Sequence, residues 1–168
     1  TFINSSGGRI AYSYSDLIEA YVPTSALSTL SGFEGVRFIY ASTPPTTHII
    51  GEGPTSHNAD EWHALRFTGD GVKVGVIDSG FDGIVSLQGT ELPVSISARC
   101  YTEAGVFSTV IGDCEIGNAH GTAVSEAVLD MAPSVSLYIS AVVSRGDVKS
   151  TVDWMISEGV DVINMSLG

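Results

Sequence analysis

Two short stretches of the chain carry residues whose type and placement invite chemistry. In VGVIDSGFDG, residues 74–83, an apolar run ends on Asp78, which is followed by Ser79, Gly80 and, four residues on, Asp82. A strand that stops on a carboxylate and turns sharply presents that carboxylate to a partner: a metal, a phosphate, a ribose or a histidine. The loop D-S-G-F-D-G lacks the G-x-G-x-x-G spacing of a dinucleotide site and the G-K-[ST] of a phosphate loop. Asp78 and Asp82 are too far apart for the Asp-x-Asp pair of a haloacid-type phosphatase. The structural alternative is a turn acid bonded to its own backbone. In NAHGTAVSEAV, residues 118–128, His120 stands before Gly121 and Thr122 where a helical pattern begins. Histidine is a poor N-cap, so capping does not explain it. The alternative is a loop histidine bonded to a carbonyl, which is also the reading for His48, His57 and His63.

The elements around these stretches must place them together. DLIEAYVP (residues 16–23) reads as a strand, TSALSTL as a short helix and GVRFIYAS (residues 35–42) as a second strand, a compact β-α-β piece. Pro44 and Pro45 then mark a linker. The expected organisation is a first segment over 1–45, a linker over 46–55 and a larger unit over 56–168. In that unit SHNADEWHALRFTGDG reads as a short helix capped by Asn58 with Glu61 three residues on, its apolar side made by Trp62 and Leu65 or Ala59. VKVGVID (residues 72–78) is a strand, and PVSISARCY (residues 93–101) is a candidate strand in an otherwise loose region. Val124, Ala127, Val128 and Met131 repeat at helical spacing after His120, and Pro133 stops that helix. VSLYISAVV is a strand. DVKSTVDWMISEG is a helix capped by Asp147, with Val148, Val152, Met155 and Ile156 facing the core, and VDVINMSLG is a final strand. Strands alternating with helices predict an α/β fold with a parallel sheet flanked by helices. Sites in such sheets form at the carboxyl ends of strands. Asp78 ends one strand, Ser166, Leu167 and Gly168 end another, and His120 opens a helix on the same edge.

The composition narrows the partners. The chain has 168 residues, 43% of them hydrophobic, enough for a real core. Its formal net charge is −12, which argues against nucleic acid, whose phosphates want a basic face. No apolar run is long enough for a transmembrane helix. A chain that begins at Thr1 reads as a processed product, so the lack of a signal peptide carries no weight. Cys100 and Cys114 are either two buried thiols or a disulfide. The polar, glycine-containing segment between them favours the disulfide, and with it an oxidising, secreted setting.

GVKVGVIDSG, NAHGTAV and GVDVINMSLG, in this order, resemble the subtilisin-like serine proteases (subtilases) over about residues 55–168. The resemblance implies an endopeptidase with an Asp-His-Ser triad, the chain order of the subtilisins themselves, on which the general account of that order is built. It implies that Asp78 orients His120, that His120 acts as general base and then general acid, and that Ser166, Leu167 and Gly168 wall the cleft for a peptide or protein substrate. The family's nucleophilic Ser and oxyanion Asn lie downstream of these motifs. The 168 residues are therefore expected to be inactive without the missing C-terminal part of the catalytic domain. Ser79, Ser125 and Ser166 are read as structural or substrate-lining, not as nucleophiles. Ala123 replaces a histidine found in many subtilases, and the Cys100–Cys114 loop is not a common family feature. The first 45 residues resemble the end of a subtilase propeptide, implying a zymogen processed between Ser42 and Ser56. Structural calcium is frequent in the family, but no ligand cluster can be named. A non-catalytic, subtilase-like binding or scaffold module is the alternative, and a magnesium-dependent nucleotide or phosphate binder using Asp78 and Asp82 is a third.

Overall fold

The computed structural model describes residues 2–42 and 54–167. Pro44, Pro45, His48, most of the expected linker and Gly168 lie outside the described residues. The chain runs α1 (Phe2–Ser5), β1 (Arg9–Tyr14), β2 (Leu17–Tyr21), α2 (Leu27–Ser31), α3 (Ala59–Ala64), β3 (Lys73–Asp78), α4 (Ile84–Leu87), β4 (Ser97–Glu103), β5 (Val106–Ser108), α5 (His120–Met131), β6 (Ser136–Ala141), α6 (Arg145–Ser157) and β7 (Val162–Met165).

The body of the molecule is a five-stranded sheet in the order β5-β4-β6-β3-β7. The pairs β4–β6, β6–β3 and β3–β7 are parallel, and β5 folds back antiparallel on β4. This is the expected α/β architecture of mostly parallel strands flanked by helices. Strand β3 is buried on both faces, as a central parallel strand must be. Val74, Val76, Leu137 and Ile139 face one cluster with Leu129 of α5, while Ile77 and Tyr138 face a second with Met155 of α6. The two long helices thus lie on opposite faces of the sheet. A buried hydrogen bond of 2.8 Å between the hydroxyls of Ser140 and Thr151 joins β6 to α6.

Several elements differ from the sequence expectation, each for a local reason. Residues 35–42 do not form a strand. They join no sheet, and Phe38 is 83% exposed: apolar alternation marks only a burial opportunity, and among the described residues no strand pairs with this stretch. Strand β2, expected over 16–23, pairs instead with β1, which alternation did not reveal, in an antiparallel hairpin. Strand β5 was likewise not anticipated. The expected β-α-β piece is therefore a hairpin followed by a short helix. Asn58 precedes α3 but sits in the left-handed region at φ 55° and its side chain caps nothing. Ala59 is the residue α3 buries, while Trp62 and Leu65 are exposed. On α5 the buried face is Gly121, Thr122, Ser125 and Leu129, with Val124 and Val128 half-buried and Ala127 and Met131 exposed. Small residues at the helix start let it approach the sheet closely and rotate the stripe. Helix α6 begins three residues earlier than expected, its cap being Ser144, whose hydroxyl accepts from the Asp147 amide, rather than Asp147. Asp147 sits buried in the first turn, and Ile156 points outward.

Candidate functional site

Asp78 is the last residue of β3, an interior strand of the sheet, and His120 the first of α5, which packs across that strand's end. The His120 ring nitrogen Nδ1 lies 2.7 Å from Oδ2 of Asp78. The carboxylate is fully buried and the imidazole side chain is 12% exposed. The other carboxylate oxygen, Oδ1, accepts the Ser79 amide at 2.8 Å. Asp78 therefore has a partner on each oxygen, as a buried acid requires. With Nδ1–H donated to a buried acceptor, the proton-accepting nitrogen of a neutral His120 is Nε2. A carboxylate holding one imidazole tautomer and able to stabilise its cation is an arrangement suited to general base and acid work.

The two loops that meet here are held by backbone contacts few other sequences would allow. The Gly121 amide donates to the Gly80 carbonyl at 2.9 Å. A Cβ on Gly121 would lie 2.6 Å from that carbonyl oxygen and 2.7 Å from Cβ of Asp78. A Cβ on Gly80 would lie 2.2 Å from the Ile116 carbonyl oxygen. Both glycines are therefore demanded by close approach. The Thr122 hydroxyl donates to the Asp82 carbonyl, and the Ser125 hydroxyl to the Gly121 carbonyl. Ser125 is thereby occupied inside the helix. Asn118 does what no residue at the formal cap position does: its side-chain Oδ1 accepts the His120 amide at 2.8 Å.

The remaining singled-out residues fall into place around this pair. In the β3–β7 register Ile77 stands opposite Met165, so Ser166 follows at the same carboxyl edge as Asp78. The Ser166 hydroxyl donates to the Asn164 side chain at 2.9 Å, and Leu167 packs against the α6-side core. Gly168 lies outside the described residues. Asp82 is exposed while Asp78 is buried and paired with histidine, which removes the two-acid geometry that a phosphate or magnesium site would use. Among the described residues there is no group of three or more His, Cys, Asp or Glu side chains that could hold a metal ion. His63 bonds the Met131 carbonyl at 3.0 Å, the structural role expected for it. Cys100 and Cys114 form a disulfide.

A second polar cluster lies at the start of α6. The Asp147 carboxylate accepts the amides of Gly105 and Val143. Burial pushes its carboxyl above the ordinary range, the hydrogen bonds from Gly105, Ser144 and Val143 oppose this, and the Glu19 charge adds to it. Glu19, from β2, accepts the Ser144 hydroxyl at 2.8 Å and the Gly146 amide at 3.2 Å. Sequence reasoning missed Asn118, Ser144 and Glu19. An Asn two residues before a helix start is a readable cap signal, whereas nothing local announces a contact between Glu19 and residue 146.

No family model matches the chain. It is 34% identical over 125 residues to Subtilisin DY of Bacillus licheniformis, covering 66% of the chain and 42% of that protein. It is 33% identical over 134 residues to the subtilisin of Bacillus pumilus, covering 69% of the chain and 44% of that protein. An alignment at 29% identity to Subtilisin E of Bacillus subtilis covers 99% of the chain and 46% of that protein. The chain thus spans less than half the length of the curated relatives it matches.

Proposed function

The chain belongs to the subtilisin-like family, and on that premise we propose that it is the Asp- and His-bearing part of a secreted serine endopeptidase. The observation that carries this reading is the buried Asp78 carboxylate 2.7 Å from Nδ1 of His120. In the proposed reaction Nε2 of His120 takes the proton of a serine hydroxyl as its oxygen attacks the scissile carbonyl carbon. The same proton is then given to the departing amine, leaving an acyl-enzyme. Water, deprotonated in turn by His120, attacks the acyl carbon; the serine oxygen then leaves, taking the proton from His120, and the acid is released. Asp78 stays ionised throughout, fixing the tautomer and stabilising the imidazolium. The serine and its oxyanion donors are assigned to chain outside residues 1–168.

The edge where β7 ends would give Ser166, Leu167 and Gly168 to the substrate cleft, where an extended peptide could add as a further strand. Residues 1–45 are read as a propeptide-like segment, joined to the catalytic part through 46–55 and cleaved between Ser42 and Ser56. Support comes from the alignment to Subtilisin E, which takes in nearly the whole chain, and from the run 37–42, whose exposed Phe38, Ile39 and Tyr40 suit an apolar cleft. The disulfide supports a secreted, oxidising setting. Among the described residues no helix is long and apolar enough to cross a membrane.

The test is peptide hydrolysis by the full-length protein, together with inactivation by a fluorophosphonate. Activity is expected in the wild type and its loss in His120→Ala. A folded full-length protein that neither cleaves peptides nor reacts with the probe would leave the scaffold-module reading in its place.

A further inference from the structure

The Glu19 carboxylate of β2 joins three parts of the chain. Its Oε2 accepts the Ser144 hydroxyl at 2.8 Å and the Gly146 amide at 3.2 Å, both at the start of α6. Its Oε1 accepts the Ser42 hydroxyl at 2.5 Å. The first contact is built into the body. A Cβ on Gly146 would lie 2.5 Å from Oε2 of Glu19 and 3.1 Å from the Tyr12 ring, and the three atoms nearest to it all belong to those two residues. The glycine is therefore demanded by the front, not by the helix it sits in. The second contact holds the end of a run that has little else to hold it. Residues 37–42 join no sheet, Phe38, Ile39 and Tyr40 are exposed, and among the described residues the run makes no other hydrogen bond. Ser144 comes just after β6, whose last residue, Ala141, stands opposite Asp78. The Val142 amide donates to the Asp78 carbonyl at 2.8 Å. Glu19 thus fastens Ser42 to the carboxyl edge of the sheet, the edge that carries Asp78 and His120.

We propose that Glu19 is a positioning residue for self-processing, with the chain's own stretch between Ser42 and Ser56 as the first substrate. This rests on the endopeptidase and zymogen reading above. Glu19 touches no reacting atom; it acts by holding Ser42, where that stretch begins, at the catalytic edge. The bond cut is one peptide bond, by the acyl-enzyme route already described: one water is consumed, the front gains a carboxyl end and the body an amine. Cleavage within one chain depends on the effective concentration of the stretch at the site, which falls as the free tether lengthens. With the anchor the free tether starts at Ser42. Without it the tether starts near Val36, whose amide is held by the Phe33 carbonyl.

The experiment follows conversion of the uncut full-length protein in Glu19→Ala, Ser42→Ala and Ser42→Thr, the last of which keeps the hydroxyl. All three changes lie on the front, so the body released by cleavage is identical and its kcat on a small peptide should not change. Ser42→Ala should slow self-processing about threefold to tenfold, the loss of one hydrogen bond and a longer tether. Ser42→Thr should restore most of the rate, and Glu19→Ala should slow it further because both contacts go. Amide exchange is measured on the same changes combined with His120→Ala, which keeps the chain uncut. Ser42→Ala should quicken exchange over residues 37–42 and leave β1 and β2 protected, whereas Glu19→Ala should quicken both. Wild-type processing in Ser42→Ala, or exchange of β1 and β2 there as fast as in Glu19→Ala, would overturn the proposal. A wild type that cuts peptides but not itself would remove the zymogen reading and the proposal with it. A wild type that cuts neither would remove the endopeptidase reading, and the exchange over residues 37–42 still decides whether Glu19 holds Ser42.

Discussion

The front of the chain and its sheet body are built on different terms. In the body, Val76, Ile77, Ile139, Met155 and Phe81 are completely buried, and the Asp78–His120 pair grows out of that core. In the front, over residues 2–42, Leu30 is the sole buried residue among the described side chains. The front meets the body through polar contacts, Glu19 on the first turn of α6 and Arg9 paired with Glu103, and through close packing of Ala11 on Gly105 and of the Tyr12 ring on Gly146. A two-stranded hairpin with no apolar layer beneath it is marginal by itself. The body therefore has the means to hold a rigid site, whereas the front has little core of its own. The same difference explains why a helix N-terminus is the point of contact: its first amides have no acceptor inside the helix and donate readily to a carboxylate, as the Gly146 amide does to Glu19.

The largest expected effect lies in the body. Asp78→Asn in the full-length protein should leave the fold intact and cut peptidase kcat by orders of magnitude. The subtilisins are themselves the reference case, at more than about 10⁴-fold. A loss under tenfold would break the link between the body's core and its chemistry. Next, Cys100→Ala with Cys114→Ala opens a cross-link of sequence separation 14, which should cost about 3 kcal/mol of stability, read as a lower urea midpoint. A smaller effect belongs to the front. Glu19→Ala removes the acceptor for Ser144 and Gly146 and should cost about 1 kcal/mol, as helix-cap losses do. Amide exchange should quicken over β1 and β2 while β3 and β6 keep their protection. Equal quickening in both regions would show that front and body are one cooperative unit.

The smallest effect is a pH dependence at the join. The Asp147 carboxyl is raised by burial and, in part, by Glu19. A raised folded-state pKa means that the folded form holds this proton to higher pH than the unfolded chain does. The associated stability is present below the ordinary aspartate pKa and is lost as pH climbs through the raised one. Denaturation midpoints of the wild type should therefore fall relative to Asp147→Asn across that window and run parallel above it. Glu19→Gln should shrink the difference, because it removes the neighbouring charge.

What could be read from the sequence follows the same division. Strand β3 ending on Asp78 and helix α5 opening on His120 were legible because a continuous apolar run, a following glycine turn and a helical period are all local signals. The sheet architecture followed from the alternation of those signals. The stripe on α5 was misplaced because Gly121 and Ser125, small residues with little apolar weight, are what the sheet admits at close range. In the front, GVRFIYAS has the alternation of a strand, but a strand needs a partner, and nothing in those eight residues says whether one is near. Glu19 illustrates the same limit: its partners on α6, Ser144 and Gly146, lie more than a hundred residues away.

The central claim is that Asp78 and His120 serve a serine supplied by chain outside residues 1–168. The most direct measurement is mass-spectrometric location of the fluorophosphonate adduct on the full-length protein, in the wild type and in His120→Ala. The account predicts one modified serine C-terminal to Gly168 in the wild type and none in the variant. An adduct on Ser79, Ser125 or Ser166, or no adduct on the folded protein, would contradict it.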